Sequence, residues 1–240
     1  MPEEIPPTSA LVVTAHPDDV DFGSAGTVSW LTSQGTTVTY CIVTDGQAGG
    51  SDRSVSRAEM AQIRRREQTA AAAEVGVTDV RFLGYHDGEL AVSHELRRDI
   101  TRVIRQIRPE VVITQSPERR WDRIPASHPD HLAAGEATVQ AIYPDAGNPF
   151  AHPSLLDDEG LEPWSVPWLW LMSSGSTDRV IDVTDHVDRK FAALGSHHSQ
   201  IADLGMVRER VTEWMAYNAA EAGLPEGRLA ESFQTVRTSF

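Results

Sequence analysis

The chain has 240 residues, of which 40% are hydrophobic and 23% are charged. This length and composition allow one large domain with its own core, and they exclude a disordered chain, a collagen-like repeat and a disulfide scaffold. The 35 acidic and 21 basic residues give a formal net charge of −14, which repels phosphate backbones and anionic lipid surfaces. We therefore expect no nucleic-acid partner, and no polyanionic ligand unless a local arginine cluster overrides the mean field.

Cysteine content and apolar stretches bear on compartment and membrane contact. The single cysteine, Cys41, lies in an apolar run, which predicts a small buried side chain rather than a reactive thiol. Residues 1–10 are acidic and proline-rich and show no signal-peptide pattern. The most apolar stretch, Trp164–Met172, is too short to span a bilayer. We expect a cytoplasmic protein without a membrane span.

Strand and helix patterns alternate along the chain. In the first half they predict a strand at Leu11–Ala15, a helix at Ser24–Ser33, a strand at Thr37–Val43, a glycine-rich loop at Gly46–Ser54, a helix at Arg57–Val75, a strand at Val80–Leu83, a helix at Glu95–Ile107 and a strand at Val111–Thr114. In the second half they predict a helix at Asp130–Ile142, an irregular proline-rich segment at Pro144–Pro167, strands at Val166–Met172 and Val180–Val183, and helices at Val187–Ile201 and Met206–Glu221.

This alternation predicts an α/β fold, with a Rossmann-like, doubly wound, mostly parallel sheet flanked by helices. We expect residues 1–240 to form a single domain. The proline-rich residues 144–167 are then an insertion that serves as a lid or an interface.

The first group of chemically active side chains, His16-Pro17-Asp18-Asp19, follows directly on the first predicted strand. Ligands of open α/β sheets bind beyond the carboxyl ends of the strands, so this position favours a site. On a tight turn, His16 and Asp19 can point an imidazole and a carboxylate at one centre, with Asp18 beside it. Taken alone, the paired aspartates are equally typical of a helix N-cap with a solvated neighbour.

A second group, His128-Pro129-Asp130-His131, lies on the loop after the predicted strand Val111–Thr114, where a helix starts. It brings another imidazole to the same edge of the sheet. Two histidines and one carboxylate with an open coordination position make up a catalytic zinc site. A structural zinc site is excluded because thiolate ligands are absent. Together, the two groups predict a catalytic metal site.

These two groups resemble the signature motifs of the LmbE-like, or PIG-L-type, zinc N-deacetylases. The resemblance covers nearly the whole chain and extends to Thr44–Gly50, Arg64–Glu67, Gly84–Leu90, His197–Gln200 and Ala230–Phe233. It implies hydrolysis of the N-acetyl group of a 2-acetamido sugar of the GlcNAc type. It also implies one Zn²⁺ per chain, with another divalent metal such as Fe²⁺ as the alternative. The partner would be a small acetamido sugar or glycoconjugate, and assembly into a homo-oligomer stays open.

The resemblance also implies a role for each residue of the first motif. His16 and Asp19, together with His131 of the second motif, would be the metal ligands. Asp18 would be the general base that takes a proton from water whose pKa the metal has lowered.

In the second motif, the resemblance makes His128 the group that stabilises the oxyanion and, as an imidazolium, protonates the leaving amine. Asp130 would orient His128. Mycothiol-pathway members of the family carry a tyrosine two residues before this histidine, where the present chain has Ala126. The oxyanion would therefore be left mainly to the metal and His128.

The resemblance further implies that Arg64 and Asp87 contact the substrate. Structural alternatives stay open for both, because Arg64 could lie on a solvated helix face and Asp87 in an Asp-Gly turn. The later histidines, His197 and His198, are expected on a helix surface.

Two other functions are compatible with parts of the sequence. A metal-dependent phosphoesterase would hold two metals, but only one compact ligand set is visible, and the net charge opposes an anionic substrate. A non-catalytic, Rossmann-like nucleotide-binding module would need a Gly-x-Gly-x-x-Gly turn, for which Gly23–Gly26 is a poor substitute. The number of bound metals separates these readings from the deacetylase.

Overall fold

The computed structural model describes residues 6–238, which form a seven-stranded sheet flanked by helices. The strands are β1 (Ser9–Thr14), β2 (Thr37–Thr44), β3 (Asp79–Tyr85), β4 (Val111–Gln115), β5 (Trp168–Met172), β6 (Arg179–Asp182) and β7 (Ala230–Arg237). Their order in the sheet is β3-β2-β1-β4-β5-β7-β6. The five strands from β3 to β5 are parallel, whereas β7 runs antiparallel to both β5 and β6.

Helices cover both faces of this sheet. They are α1 (Asp19–Gly23), α2 (Ala25–Ser33), α3 (Arg57–Glu74), α4 (His94–Ile107), α5 (Pro129–Gln140), α6 (Pro153–Asp157), α7 (Val187–Gly195) and α8 (Leu204–Glu221). Successive strand residues point to opposite faces. Val12 accordingly packs in a cluster with α2, α3, α7 and α8, while Leu11 and Val13 pack in a second cluster with α4 and α5. Burial on both faces explains why β1 is a continuous apolar run.

The sheet is mostly parallel, as predicted, and its antiparallel edge contains a strand that the local patterns missed. Ala230–Arg237 was not predicted to be a strand, yet it pairs on both sides, between β5 and β6. The short helix α1 was also missed. The helix predicted at Val187–Ile201 ends at Gly195, and the helix predicted to reach Ile142 ends at Gln140. Beyond Gln140, Pro144 lacks the N–H that a regular helix requires.

The proline-rich insertion is attached to α4 by buried polar contacts. Arg97 makes two hydrogen bonds to the Asp145 carboxylate, at 2.7 and 3.0 Å. Arg105, only 2% exposed, donates to backbone carbonyl oxygens of the insertion, among them those of Asp145 and Asn148. These contacts hold the start of the insertion against α4.

Two smaller expectations concern Cys41 and the membrane. Cys41 is buried as predicted, and burial raises the pKa of its thiol to about 12. Within residues 6–238, no helix combines the length and apolarity needed to cross a bilayer. Residues 1–5, part of the segment judged to lack a signal peptide, lie outside the described residues.

Candidate active site

The two sequence motifs meet because β1 and β4 are adjacent parallel strands. The chain leaves β1 at Ala15, whose N–H donates to the Gln115 side chain at the end of β4, at 3.0 Å. The turn then closes on itself, since the His16 N–H donates to the Asp19 carboxylate at 2.7 Å. Between them, Asp18 adopts a left-handed backbone conformation with φ of 93°. Such a conformation costs a non-glycine residue about 1–3 kcal/mol and is concentrated at functional sites.

Three side chains predicted to bind metal converge beside this turn, two from the turn itself and one, His131, from α5. His16 Nδ1 lies 3.3 Å from Asp19 Oδ2 and 3.3 Å from His131 Nε2, and His131 Nε2 lies 3.0 Å from Asp19 Oδ1. Burial opposes a charge on His131, but Asp19 and, to a smaller degree, the Ala126 backbone raise the pKa of its imidazole.

Two carboxylates hold the opposite side of the His16 ring. His16 Nε2 lies 3.1 Å from Asp130 Oδ2 and 3.2 Å from Asp87 Oδ1. The Asp130 carboxylate also accepts hydrogen bonds from the Gly88 and Leu90 N–H groups. The structure therefore offers a second cluster with metal-ligand chemistry, namely His16, Asp87 and Asp130, which is entirely buried.

This geometry corrects the expectation that Asp130 orients His128. The Asp130 side chain binds His16, and only its backbone N–H reaches His128, donating to Nδ1 at 3.2 Å. Because Nδ1 accepts that bond, a neutral His128 carries its proton on Nε2. Burial and the neighbouring His16 and His131 lower the pKa of His128. An imidazolium at this position is therefore disfavoured, contrary to the sequence-based expectation.

The electrostatic field around His16 favours a bound cation. Although burial opposes the charge, Asp19, Asp130 and Asp87 together raise the pKa of His16 to about 12. For Asp19, the nearby His131 and His16 outweigh the effect of burial, so its pKa falls well below the usual value. Because these carboxylates stabilise the proton on His16 so strongly, they would also stabilise a divalent metal ion.

Asp18 has a different environment from Asp19. Its backbone N–H donates to Gln68 at 2.7 Å, and its carboxylate lies 3.1 Å from the Arg64 guanidinium. Burial and the neighbouring Asp19 nevertheless raise the pKa of Asp18 to about 6, against the opposing effect of Arg64. A carboxylate with this pKa can accept a proton and return it near neutral pH.

The predicted substrate contacts, Arg64 and Asp87, are brought to the site but lie within the protein. Arg64 is only 4% exposed, and it donates to the carbonyl oxygens of Gly46 and Pro17. A Cβ at Gly46 would lie 2.5 Å from Arg64 Nη1, so the glycine-rich loop makes room for the guanidinium. Asp87 accepts from the Ala48 N–H and contacts His16. Arg64 is therefore not on a solvated helix face.

A buried polar network behind Asp18 was missed by the sequence analysis. The Gln68 side chain links the Asp18 N–H to the Asp21 carboxylate, which lies 2.7 Å from His197 Nε2. Lys190, fully buried, donates to the Asp21 carbonyl and to Glu231 at 2.7 Å. His197 is thus buried, not on a helix surface, whereas His198 is exposed. Only the family resemblance of His197–Gln200 and Ala230–Phe233 pointed to these segments.

A cleft of about 380 Å³ opens beside the three converging side chains. Its lining consists of Asp19, Phe22, Gly23, Gln115, Arg123, Pro125, Ala126, His131, Met172, Ser173, Arg210, Val211 and Trp214. Among these there is no tyrosine and no residue of the insertion 144–167. The insertion therefore does not form a wall of this cleft. Asp87 and Asp130 are not part of the lining either, so the cleft lies on the Nδ1 side of His16.

Comparison with known proteins places these motifs in a family. The PIG-L family profile, described as GlcNAc-PI de-N-acetylase, matches residues 11–142. The diacetylchitobiose deacetylase of Thermococcus kodakarensis is 33% identical over 80% of this chain and 70% of its own length. A probable N-acetyl-alpha-D-glucosaminyl L-malate deacetylase 2 of Bacillus cereus is 32% identical over 79% of this chain and 82% of its own.

A solved structure extends the similarity to the fold. The N,N'-diacetylchitobiose deacetylase of Pyrococcus horikoshii superposes with a TM-score of 0.89 and 29% identity. The match covers 97% of this chain and 85% of that protein. With more than half of its length matched by the family profile, the chain belongs to the PIG-L family of de-N-acetylases.

Proposed function

We propose that the protein is a metal-dependent hydrolase that removes the N-acetyl group of a 2-acetamido sugar. Membership of the PIG-L family and the deacetylase relatives support an N-deacetylase. The observation that best supports the proposal is the position of Asp18 beside the cluster of His16, Asp19 and His131. A cluster of two imidazoles and one carboxylate lies at the cleft, with the separate carboxylate of Asp18, whose pKa is raised to about 6, next to it.

The residues at the cleft fit a metal. His16 Nδ1, Asp19 and His131 Nε2 offer two nitrogens and one carboxylate, the donor set of a catalytic zinc site and also of a non-haem Fe²⁺ site. The buried alternative is less suitable because Asp87 and Asp130 do not line the cleft, whereas Asp19 and His131 do. When bound, a metal at the cleft would supply Lewis acidity to a water and to the amide carbonyl.

Asp18 is the proposed proton carrier. Ionised, it removes a proton from the water that attacks the acetyl carbon, and a new carbon–oxygen bond forms. Its raised pKa then allows the protonated carboxyl to deliver that proton to the sugar nitrogen as the carbon–nitrogen bond breaks. The products are acetate and the free amine.

His128 is proposed to stabilise the oxygen that gains negative charge. Its Nδ1 is occupied by a backbone N–H, so Nε2–H is its free donor in the neutral ring. A neutral donor of this kind can stabilise an oxyanion.

The test is acetate release from N-acetylglucosamine and di-N-acetylchitobiose by the protein loaded in turn with Zn²⁺ or Fe²⁺. We expect acetate and free amine in equal amounts, and one metal per chain. Gln140→Ala, at a half-buried position of α5 where the side chain contacts Glu136, is the control for handling. The proposal is wrong if the fully loaded protein releases no acetate from any acetamido sugar in a broad panel.

A further inference from the structure

One wall of the cleft carries positive charge that deacetylation itself does not require. Arg123 lies on the loop between β4 and α5, and Arg210 and Trp214 lie one turn apart on α8. The Arg123 guanidinium stacks over the Trp214 ring, 4.7 Å from its centroid. The same cleft is lined by Asp19 and His131.

These two arginines lack the acidic partners that neighbouring arginines have. Arg120 pairs with Asp122 at the edge of the same loop, and Arg208 on α8 pairs with Asp188. Among the described residues, no carboxylate lies within ion-pair distance of Arg123 or Arg210. In a chain with 35 acidic and only 21 basic residues, two unpaired guanidinium groups on one wall run against the overall composition. They form the local arginine cluster that can override a negative mean field.

We propose that this wall, defined by Arg123, Arg210 and Trp214, binds a carboxylate or another small anionic group on the substituent of the acetamido sugar. This inference rests on the proposed deacetylase function. Guanidinium groups recognise such anions through paired, charge-assisted hydrogen bonds. Stacking on Trp214 restricts the Arg123 side chain and so reduces the entropy lost on binding.

The experiment compares two glycosides that differ only in charge. The methyl glycoside of N-acetylglucosamine is neutral, and the carboxymethyl glycoside carries one carboxylate. For the metal-loaded wild-type protein we expect kcat/KM for the carboxymethyl glycoside to be about tenfold higher or more, as charge-assisted hydrogen bonds allow. The ratio of the two kcat/KM values should approach one in the double variant Arg123→Gln/Arg210→Gln. It should be retained in Arg208→Gln, the matched control on α8.

Binding of the two glycosides, measured by calorimetry at low and high salt, gives a second readout that does not depend on turnover. The inference is overturned if the wild-type protein treats both glycosides alike, or if the double variant keeps the preference. Equal turnover of both glycosides would contradict the anion subsite without contradicting the deacetylase function. Absence of acetate from either would contradict the function, and the binding preference would still decide the subsite.

Discussion

Asp18 and Asp19 are neighbours in the chain, yet the fold gives them different chemistry. Asp19 faces two imidazoles, and these hold its pKa well below the usual value. Asp18 has a left-handed backbone conformation, and its carboxylate lies beside the Arg64 guanidinium. Burial and Asp19 nevertheless raise the pKa of Asp18 to about 6. Two adjacent residues therefore have different character: Asp19 resembles a metal ligand, and Asp18 resembles a general base.

Replacing either aspartate by asparagine should separate these roles. Asp18→Asn keeps a residue type tolerated at positive φ and leaves the three-ligand cluster intact. We expect it to retain about one equivalent of metal and to lose about 10²–10⁴ in kcat. Asp19→Asn should instead lose the metal. Metal analysis and acetate release on both purified variants check this, and loss of metal from Asp18→Asn with normal turnover per metal would reverse the assignments.

The pH dependence of kcat/KM follows from the Asp18 carboxylate. The base must be ionised, so kcat/KM should rise with pH through the pKa of Asp18, which is about 6 in the protein without metal. The positive charge of a metal favours the ionised form and shifts this limb to lower pH. Arg64 also lowers this pKa, so Arg64→Gln should move the limb upward. pH–rate profiles test the limb, and a carbon-13 NMR titration of the apoprotein tests the pKa directly.

Asp130 contributes through His16. Because its carboxylate holds His16 Nε2, Asp130→Asn should weaken metal affinity about 10–100-fold, the usual effect of losing such a partner. Competition with a chelator measures the affinity, with Glu136→Gln on the same helix as the control. An unchanged affinity would show that the Asp130 carboxylate only anchors the Gly88 and Leu90 backbone.

At the scale of elements, α1, α3 and the turn after α7 are joined behind the site. Gln68 on α3 binds the Asp18 N–H and the Asp21 carboxylate, and His197 binds Asp21 from the turn. All these groups except Asp18 are fully buried. The network thus holds the strained Asp18 backbone from the side away from the cleft.

Gln68→Met should therefore affect catalysis more than stability alone explains. The substitution keeps an unbranched side chain but removes both hydrogen bonds, so Asp18 loses its backbone anchor. We expect kcat to fall about tenfold to a hundredfold, as for a small misplacement of a catalytic group, with metal content and KM nearly unchanged. Leu155→Ala, a buried site in the insertion, is the control. It should lower Tm without this loss in kcat, measured well below Tm. Equal effects of the two variants on kcat would make Gln68 purely structural.

At the scale of the whole molecule, β7 ties the end of the described chain to its beginning. Glu231 on β7 accepts from the Gly26 and Thr27 N–H groups at the start of α2 and pairs with Lys190 of α7. Both charged side chains are fully buried. Lys190 also donates to the Asp21 carbonyl beside the site. The Lys190–Glu231 ion pair therefore contributes both to the packing of α2 and α7 and to the position of the backbone beside the site.

Removing one member of this pair should be strongly destabilising. Lys190→Met leaves the Glu231 carboxylate without its cation, and we expect about 3–5 kcal/mol less unfolding free energy. The double variant Lys190→Met/Glu231→Gln removes both charges and should be less destabilised than the sum of the single variants. Urea unfolding of the three variants checks this, and strict additivity would contradict a coupled pair.

Much of the fold followed from local patterns. The runs at β1, β2 and β4 are apolar because those strands are buried on both faces, and the amphipathic spacing of α4 gives a helix whose apolar side packs on the sheet. β7 was missed because Ala230–Arg237 is interrupted by polar residues. Its stability comes from pairing with β5 and β6, which lie far away in sequence.

The sequence by itself determined the positions of both motifs at the ends of strands and the family to which the chain belongs. Residue type and spacing carry that information, because a parallel strand ends where its loop can bind ligands. Only the tertiary structure decided that Asp130 binds His16, that His197 is buried against Asp21, and that Arg123 stacks on Trp214 in one wall of the cleft. Those contacts join residues about 90 to 180 positions apart, and local periodicity specifies which face of an element is buried but not which distant side chain it meets.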